Sequence, residues 1–162
     1  MTPNVRADWA NASYARADMP ASARAEDVLA FLGEFTKALQ AKGVPLLAGT
    51  DSPVVPGMYP GYSIHDELRA LVKAGLSPFD ALSAATRTPG EFIAKTVPGA
   101  QGFGTVTQGL RADLVLVDKN PLTSLETLKS PLGVMKAGRW FSRAQLAALL
   151  EQNSSKYDEP AR

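Results

Sequence analysis

A short apolar run at residues 44–48 follows an amphipathic segment and a glycine, and this order constrains the fold more than any other feature of the chain. In the preceding segment, residues 26–41, apolar side chains recur at three- and four-residue steps, which places them on one face of a helix. Gly43 is suited to end that helix. Because a brief apolar run after a helix and a glycine is typical of a parallel strand packed on both faces, the pattern predicts an α/β fold.

The predicted strand runs into the sequence "GTDSP", in which the carboxylate of Asp51 lies two residues before Pro53. Functional groups of parallel α/β folds gather at the C-terminal ends of strands, because the loops there vary while the sheet holds them in place. Asp and Ser also make ordinary turns by bonding to their own backbone. Both explanations of Asp51, an active-site residue and a turn residue, stay open at this point.

Three predicted helix starts follow a loop rich in proline and glycine. Each has a hydroxyl residue at the N-cap position and an acidic residue three positions later, the pattern of a capping box. The pairs are Ser63 with Asp66, Ser77 with Asp80, and Thr88 with Glu91. Pro78 and Pro89 then fall at the first helical position, where a missing N–H costs nothing.

The C-terminal third of the chain is predicted to be mainly β. The residue pattern indicates a strand at 113–117 and a hairpin that turns at Ala137 and Gly138. A short helix capped by Thr123 is expected between them. A final amphipathic helix is expected to start near Ser142 and to end in a polar tail from Asn153.

Composition and charge exclude several classes of function. With 162 residues, 45% of them hydrophobic, the chain is expected to form an ordinary globular domain. Lys and Arg total 17 against 16 acidic residues, and no basic stripe suggests nucleic acid as a partner. The chain contains no cysteine, no signal-peptide pattern and no apolar stretch of membrane-spanning length. A soluble, cytoplasmic protein without a membrane partner is the expectation.

His65, the single histidine, falls in the first turn of the helix predicted after Ser63. It is either a substrate-side residue at the mouth of a pocket or a solvated residue on the polar face of the helix. One histidine cannot form a histidine metal site by itself. Asp66 and Glu67 beside it need no catalytic explanation, because acidic residues in a first turn complement the positive end of the helix dipole.

Three blocks of sequence together resemble the C-terminal portion of the metal-dependent amidohydrolase superfamily, most closely its imidazolonepropionase-like and Xaa-Pro dipeptidase-like branch. The blocks are "GVPLLAGTDSP", "GYSIHDELRALVKAGLSPFDALSAATRTPGEFI" and "GFGTVTQGLRADLVLVDKNPL", at residues 43–53, 61–93 and 102–122, and the resemblance covers about residues 43–141. Their order and spacing carry the resemblance, since any one block alone would be weak.

The resemblance implies a (β/α)₈ TIM-like barrel with a small β-sandwich, and a divalent metal, usually zinc, at the mouth of the barrel. By this resemblance, residues 26–101 form the end of the barrel and residues 102–141 part of the sandwich. Residues 1–25 are then a lead-in loop and residues 142–162 a helix and polar tail. Asp51 matches the metal-site aspartate of the family, which contacts the metal and acts as general base in the hydrolysis of C–N bonds.

The chain also departs from the family pattern. The histidines and the bridging lysine or glutamate that complete the family's metal site are absent, and a full barrel takes about 250 residues. We therefore expect the complete enzyme to act on a small-molecule amide or a dipeptide, and this chain alone to bind metal weakly and to be inactive. It would need a missing N-terminal portion or form a homo-oligomer. The alternative is a non-catalytic binding or assembly domain that retains the fold fragment.

Overall fold

The computed structural model describes residues 23–53 and 57–155. Within these ranges four helices come first, and a small sheet and a last helix follow. The helices are α1 (Ala23–Ala41), α2 (Ile64–Lys73), α3 (Pro78–Ala85), α4 (Arg87–Thr96) and α5 (Arg143–Ser155). The strands are β1 (Leu114–Leu116), β2 (Gly133–Lys136) and β3 (Arg139–Ser142), with a 3₁₀ helix at Leu125–Lys129. Of the predicted lead-in loop, residues 1–22 lie outside the described residues, and residues 23–25 belong to α1.

Helix α1 ends at the glycine that the sequence marks. The N–H of Gly43 donates to the carbonyl of Gln40 at 2.8 Å, and the N–H of Val44 donates to the carbonyl of Leu39 at 3.1 Å. Gly43 has a φ of 71°, the left-handed conformation that this helix ending requires and that glycine adopts without strain. The predicted end of α1 is therefore confirmed.

The strand predicted at residues 44–48 does not form in the part of the chain that the structure describes. Beyond the helix-ending bond of Val44, the backbone bond recorded for this run joins the N–H of Ala48 to the carbonyl of Ala84 at 2.9 Å. Pro45 has no N–H to give to a ladder, and no described strand lies alongside. Residues 44–48 therefore keep an apolar strand-like sequence without a strand partner.

The Ser77 cap of α3 is confirmed. Its Oγ accepts from the N–H of Asp80 at 3.1 Å and donates to the Asp80 carboxylate at 2.6 Å, and Pro78 is the first residue of the helix. The hydroxyl thus satisfies one of the unpaired first-turn amides.

Ser63 is the N-cap residue of α2, as predicted, but its hydroxyl makes no capping bond, and the cap predicted at Thr88 is wrong. Ser63 already has helical backbone angles, and its Oγ, in a residue only 1% exposed, accepts from the preceding N–H of Tyr59 at 2.7 Å. Thr88 is the second residue of α4, because α3 runs into α4 with only Thr86 between them. Pro89 is consequently the third helical residue, where its missing N–H still costs no helix bond.

The three strands form an antiparallel sheet in the order β1-β2-β3. Ala137 and Gly138 join β2 to β3 with φ values of 49° and 80°, as a tight primed turn requires, so the predicted hairpin is confirmed. The carboxylate of Asp113 supports this turn by accepting from the Ala137 N–H at 2.7 Å. The short helix expected from Thr123 is a 3₁₀ helix that starts at Leu125 without a side-chain cap.

Helix α5 starts where the sequence predicts and ends later. The Ser142 N–H donates to Oε1 of Gln145 at 2.8 Å, and the Gln145 N–H donates to Oγ of Ser142 at 3.4 Å, a reciprocal capping box. The helix continues to Ser155, so the polar tail does not begin at Asn153. Gln152 and Asn153, near the end of the helix, are exposed.

The buried apolar core among the described residues is small. It consists of Leu68, Leu76, Ala81 and Ala84, contributed by α2, α3 and the loop between them. Many large apolar side chains elsewhere stay exposed, including a continuous set on α1. The packing of the described residues therefore fixes α2 and α3 firmly and leaves much apolar surface of α1 open to solvent.

Candidate functional site

Asp51 is exposed and stands in a backbone turn just after residues 44–48. Its φ of 48° lies in the left-handed region, which Asp tolerates better than most residues. Around it, Oγ1 of Thr50 accepts from the Ser52 N–H at 3.3 Å, and Oγ of Ser52 donates to the Met58 carbonyl at 2.9 Å. Neither bond uses the Asp51 carboxylate. Asp51 therefore lies in a turn and also has an exposed carboxylate. The two explanations of Asp51 that the sequence left open, a turn residue and an active-site residue, do not exclude each other.

Glu67 lies at the same place as Asp51. Its carboxylate is partly buried and lies near enough to the backbone N–H of Gly49, two residues before Asp51, for that group to affect its pKa. Burial raises the pKa of the Glu67 carboxyl, and the negative charge of Asp51 raises it further, while the backbone N–H of Gly49 opposes both. Asp51 and Glu67 are thus near enough for the two negative charges to interact.

In the sequence, Glu67 is explained by the helix dipole alone, and its position near Gly49 and Asp51 was missed. One signal was present: Glu67 follows Ile64 by three residues and precedes Leu71 by four, so it borders the apolar stripe of α2. A carboxylate beside a buried stripe must find a partner or lose its charge. The position of Gly49 and Asp51 near Glu67 could not be found from the sequence of α2 alone.

His65 lies in the first turn of α2, as predicted, but faces a different part of the molecule. Residues two apart on a helix point in nearly opposite directions, and the imidazole packs edge to face on Tyr62 at 5.7 Å. Its Nδ1 is buried without a hydrogen-bond partner among the described residues. Burial is the main cause that lowers the pKa of His65, with Lys129 adding to it and the Asp66 and Glu126 carboxylates opposing it.

The His65 ring lines a groove of ≈ 920 Å³ between the loop before α2, the 3₁₀ helix and α5. The wall contributed by α5 is largely apolar, and Leu146, Leu149 and Leu150 belong to it. On the rim, the Lys129 ammonium pairs with Glu126 at 2.7 Å. The structure therefore brings Asp51 together with Glu67, and places His65 in a separate groove.

The described residues do not form a complete metal site. No group of three or more His, Cys, Asp or Glu that could hold a metal ion occurs among residues 23–53 and 57–155. The whole sequence contains one histidine and no cysteine. Since protein zinc sites generally use three or four protein ligands, the two carboxylates near Gly49 do not fit a zinc ion without further donors.

A family model described as "Amidohydrolase family" matches residues 31–141, a span that includes Asp51, Glu67 and His65. Among solved structures, a bottromycin amidohydrolase is 30% identical over 98% of this chain and 34% of its own, with a TM-score of 0.76. A crystal structure of another amidohydrolase is 28% identical over 68% of this chain and 25% of its own, with a TM-score of 0.54. The chain thus spans a quarter to a third of the length of these structures.

A molinate hydrolase shares the fold over 70% of this chain and 26% of its own, at 24% identity and a TM-score of 0.54. No curated protein sequence matches the chain. None of the helices in the described ranges is long and apolar enough to cross a membrane.

Proposed function

Because this chain belongs to the amidohydrolase family, we propose that it supplies the aspartate of a metal-dependent hydrolase site that cleaves a C–N bond in a small amide or a dipeptide. The observation that carries the proposal is the exposed carboxylate of Asp51 within the matched region, held in a defined turn beside Glu67. In the family resemblance, this position is the metal-site aspartate and general base.

The chemical role of Asp51 follows from what amide hydrolysis requires. An attacking water must lose a proton, and the leaving amine must gain one before it departs. A solvent-facing carboxylate close to both can accept the first proton and donate it in the second step, a contribution of about 10² to 10⁴ in rate. The metal that the family implies is proposed to be zinc, and its remaining ligands must come from outside the described residues.

The exposed apolar side of α1 supports a completed assembly as the active form. Five side chains on this helix are about half exposed or more, and we call them the α1 face: Val28, Leu29, Phe31, Leu32 and Phe35. Next to it in sequence, Leu47 is 48% exposed in a run that lacks a strand partner. Contiguous apolar surface of this kind marks an interaction site. We propose that the rest of a (β/α)₈ barrel covers it, and that the chain alone is inactive.

A non-catalytic binding domain is the second candidate, and the groove beside His65 favours it. The groove volume of ≈ 920 Å³ falls in the range of small-molecule sites, and its wall combines apolar residues with polar groups such as His65 and Arg143. In that case the Asp51 carboxylate would have no role, and its replacement would leave binding unchanged.

The test separates the two candidates with one substitution and one matched control. The protein is tagged in its own source and purified in whatever assembly it forms there. Hydrolysis of acylated amines, cyclic amides and Xaa-Pro dipeptides is then measured for the wild type, Asp51→Asn and Glu91→Gln. Glu91 lies on α4 with a 59% exposed side chain, so its change removes a carboxylate charge away from Asp51.

The hydrolase proposal expects Asp51→Asn to reduce activity by about 10² or more while Glu91→Gln stays near wild type. Hydrolysis that survives Asp51→Asn would refute the role of Asp51. Absence of hydrolysis from the assembly, together with small-molecule binding that Asp51→Asn does not alter, would favour the binding domain instead.

A further inference from the structure

The groove beside His65 has an apolar side that one helix supplies. Leu146, Leu149 and Leu150 line it from α5, and their spacing of three and four residues places them on one face of that helix. Leu149 is 48% exposed and Leu150 is 72% exposed, so the described residues leave this face open to solvent. An exposed apolar wall in a groove of ≈ 920 Å³ favours a ligand with an apolar body.

Arg143, the first residue of α5, brings a positive charge in a fixed orientation to the same groove. Its Nε donates to the Pro131 carbonyl at 3.1 Å, and its Nη2 donates to the Ser130 carbonyl at 3.0 Å. These two bonds use one edge of the planar guanidinium. Nη1 donates to none of the residues that the structure describes. The edge formed by Nη1 and Nη2 therefore has donors available for a carboxylate, which a guanidinium binds through two parallel hydrogen bonds.

The charges around the groove favour an anion. None of the described residues that line it is acidic, whereas Lys129 and Arg143 are basic. The Lys129 ammonium is paired with Glu126 at 2.7 Å, but no described carboxylate lies within salt-bridge distance of Arg143. Arg143 also lowers the pKa of Asp118, whose carboxylate accepts from Oγ1 of Thr127 and does not line the groove. Arg143 is therefore the cation of this groove that is left for a ligand.

His65 adds an unsatisfied polar group to the groove wall. Its Nδ1 is buried and has no hydrogen-bond partner among the described residues. A buried nitrogen without a partner costs free energy, and a ligand group that reaches it removes this cost. Tyr62, which packs on the His65 ring, also lines the groove. The wall therefore has the composition of a small-molecule site, in which apolar surface surrounds a few polar groups.

We propose that this groove is a binding site for a small organic carboxylate with an apolar body. Arg143 holds the carboxylate, and Leu146, Leu149 and Leu150 contact the apolar body. Asp51 does not line the groove, so the proposal does not rest on the hydrolase function and is measured separately. It goes further than the second candidate function, because it names the class of ligand and the residue that recognises its charge.

A comparison of four probes on the wild-type chain tests the ligand class without any substitution. Octanoate, octanol and octylammonium share an apolar body and differ in the head group, and acetate has the carboxylate alone. NMR shifts of leucine methyl groups during titration give each affinity and locate the site. We expect octanoate to bind more tightly than the other three by about tenfold or more, because only octanoate provides both parts.

Three results of that comparison would overturn the proposal. Octanol that binds as tightly as octanoate would mean that the carboxylate is not recognised. Tighter binding of octylammonium would mean that the groove prefers a cation. Octanoate that shifts the signals of the α1 face and leaves those of Leu146, Leu149 and Leu150 unchanged would place the site elsewhere.

Arg143→Gln and a matched control test the residue that holds the carboxylate. We expect Arg143→Gln to weaken octanoate binding by about tenfold and to leave octanol binding unchanged, because only the charged head group contacts the guanidinium. Arg139 is the control, since its guanidinium lies over the Phe141 ring at 4.8 Å and it does not line the groove. Arg139→Gln should bind octanoate as the wild type does. Octanoate affinity that is equal in wild type and Arg143→Gln would overturn the proposal.

A second variant keeps the test decisive if Arg143→Gln does not fold, since that change also removes the bonds to Ser130 and Pro131. Leu150 is 72% exposed, so Leu150→Asn removes little burial from the chain. It should weaken both octanoate and octanol by about threefold or more, because the apolar body loses a contact. Octanoate affinity that Leu150→Asn does not change would overturn the proposal.

The assembly purified from the source tests whether the groove stays accessible in the complete protein. Octanoate should bind there about as tightly as to the chain, and Asp51→Asn should not alter it. Loss of octanoate binding in the assembly would mean that a further polypeptide covers the leucines of α5, and would overturn the proposal. If hydrolysis survives Asp51→Asn while octanoate binding still requires Arg143, the hydrolase function fails and the carboxylate site stands.

Discussion

The sheet and the segment that leads to Asp51 satisfy their backbones in different ways. Each strand of the sheet has its neighbour within 30 residues of chain, and the Ala137–Gly138 turn sets the register of the hairpin. Residues 44–48 have an apolar sequence of the same kind, but the N–H of Val44 bonds to Leu39 and the N–H of Ala48 bonds to Ala84, and neither bond belongs to a strand ladder. The sheet region is locally complete, whereas the region that carries the candidate chemistry is open. An active site whose residues come from several distant strands of a barrel would leave this segment without partners when those strands are absent.

The largest contrast is expected between the core and the α1 face. Leu68 is 3% exposed and Leu29 is 68% exposed. Leu68→Ala should lower the free energy of unfolding by about 2 to 5 kcal/mol, because it leaves a cavity between packed helices. Leu29→Ala should change it by about 0.5 kcal/mol or less, since its side chain loses little burial. Urea unfolding of the two variants measures both, and a comparable loss from Leu29→Ala would mean that α1 is packed in the chain itself.

Two glycines provide a second contrast at smaller scale. A Cβ added at Gly133 in β2 would lie 2.1 Å from the Trp140 ring and 2.9 Å from the Phe141 carbonyl, while one added at Gly49 would meet nothing within 4 Å. Gly133→Ala should therefore destabilise the chain by about 1 to 3 kcal/mol through overpacking. Gly49→Ala, its matched control, should be nearly neutral. Thermal unfolding distinguishes them, and a large loss at Gly49 would show that the open segment is in fact closed.

The helix cap at Ser77 gives a further, intermediate effect. Ser77→Ala removes the acceptor of the Asp80 N–H and should cost about 1 kcal/mol. Ser63→Ala serves as the comparison, because its hydroxyl bonds to Tyr59 outside α2 and lies in a buried position. Far-ultraviolet circular dichroism follows the loss of helix as each variant melts. The same loss of stability with the same spectral change in both variants would contradict the assignment of separate roles to Ser77 and Ser63.

The smallest effect concerns pH and His65. Burial lowers the pKa of His65 below its ordinary value of 6.5, so the folded chain favours the neutral ring. The stability that this provides is complete above pH 6.5 and is lost as the pH falls from 6.5 through the lowered pKa of the folded state. The difference in unfolding free energy between wild type and His65→Gln should therefore shrink in that window. A difference that grows on acidification would mean that the charged ring is stabilised.

Features set by neighbouring residues could be predicted from the sequence. The end of α1 at Gly43, the cap at Ser77 and the hairpin at Ala137–Gly138 each depend on backbone angles or hydroxyls within one turn of chain. Residues close in sequence determine these three features, and tertiary contacts need only be compatible with them. The same holds for Asp51, whose place in a turn after an apolar run is confirmed.

Features that need distant partners could not be predicted in this way. Residues 44–48 have the composition of a strand, yet pairing requires a neighbour that no local pattern reveals. Ser63 has the right residue type for a cap, but the chain before it offers the Tyr59 N–H instead. Glu67 and Gly49 are separated in the sequence by a whole loop, so only the fold shows that they lie near each other.

The central claim is that Asp51 belongs to a metal site which this chain does not complete alone. Zinc content and particle mass measured on one sample of the purified chain test it most directly. The account predicts less than about 0.1 zinc per chain for a monomer, because one or two carboxylates bind the ion weakly. It also predicts stoichiometric zinc in the assembly isolated from the source. Near-stoichiometric zinc on a monomeric chain would contradict the account.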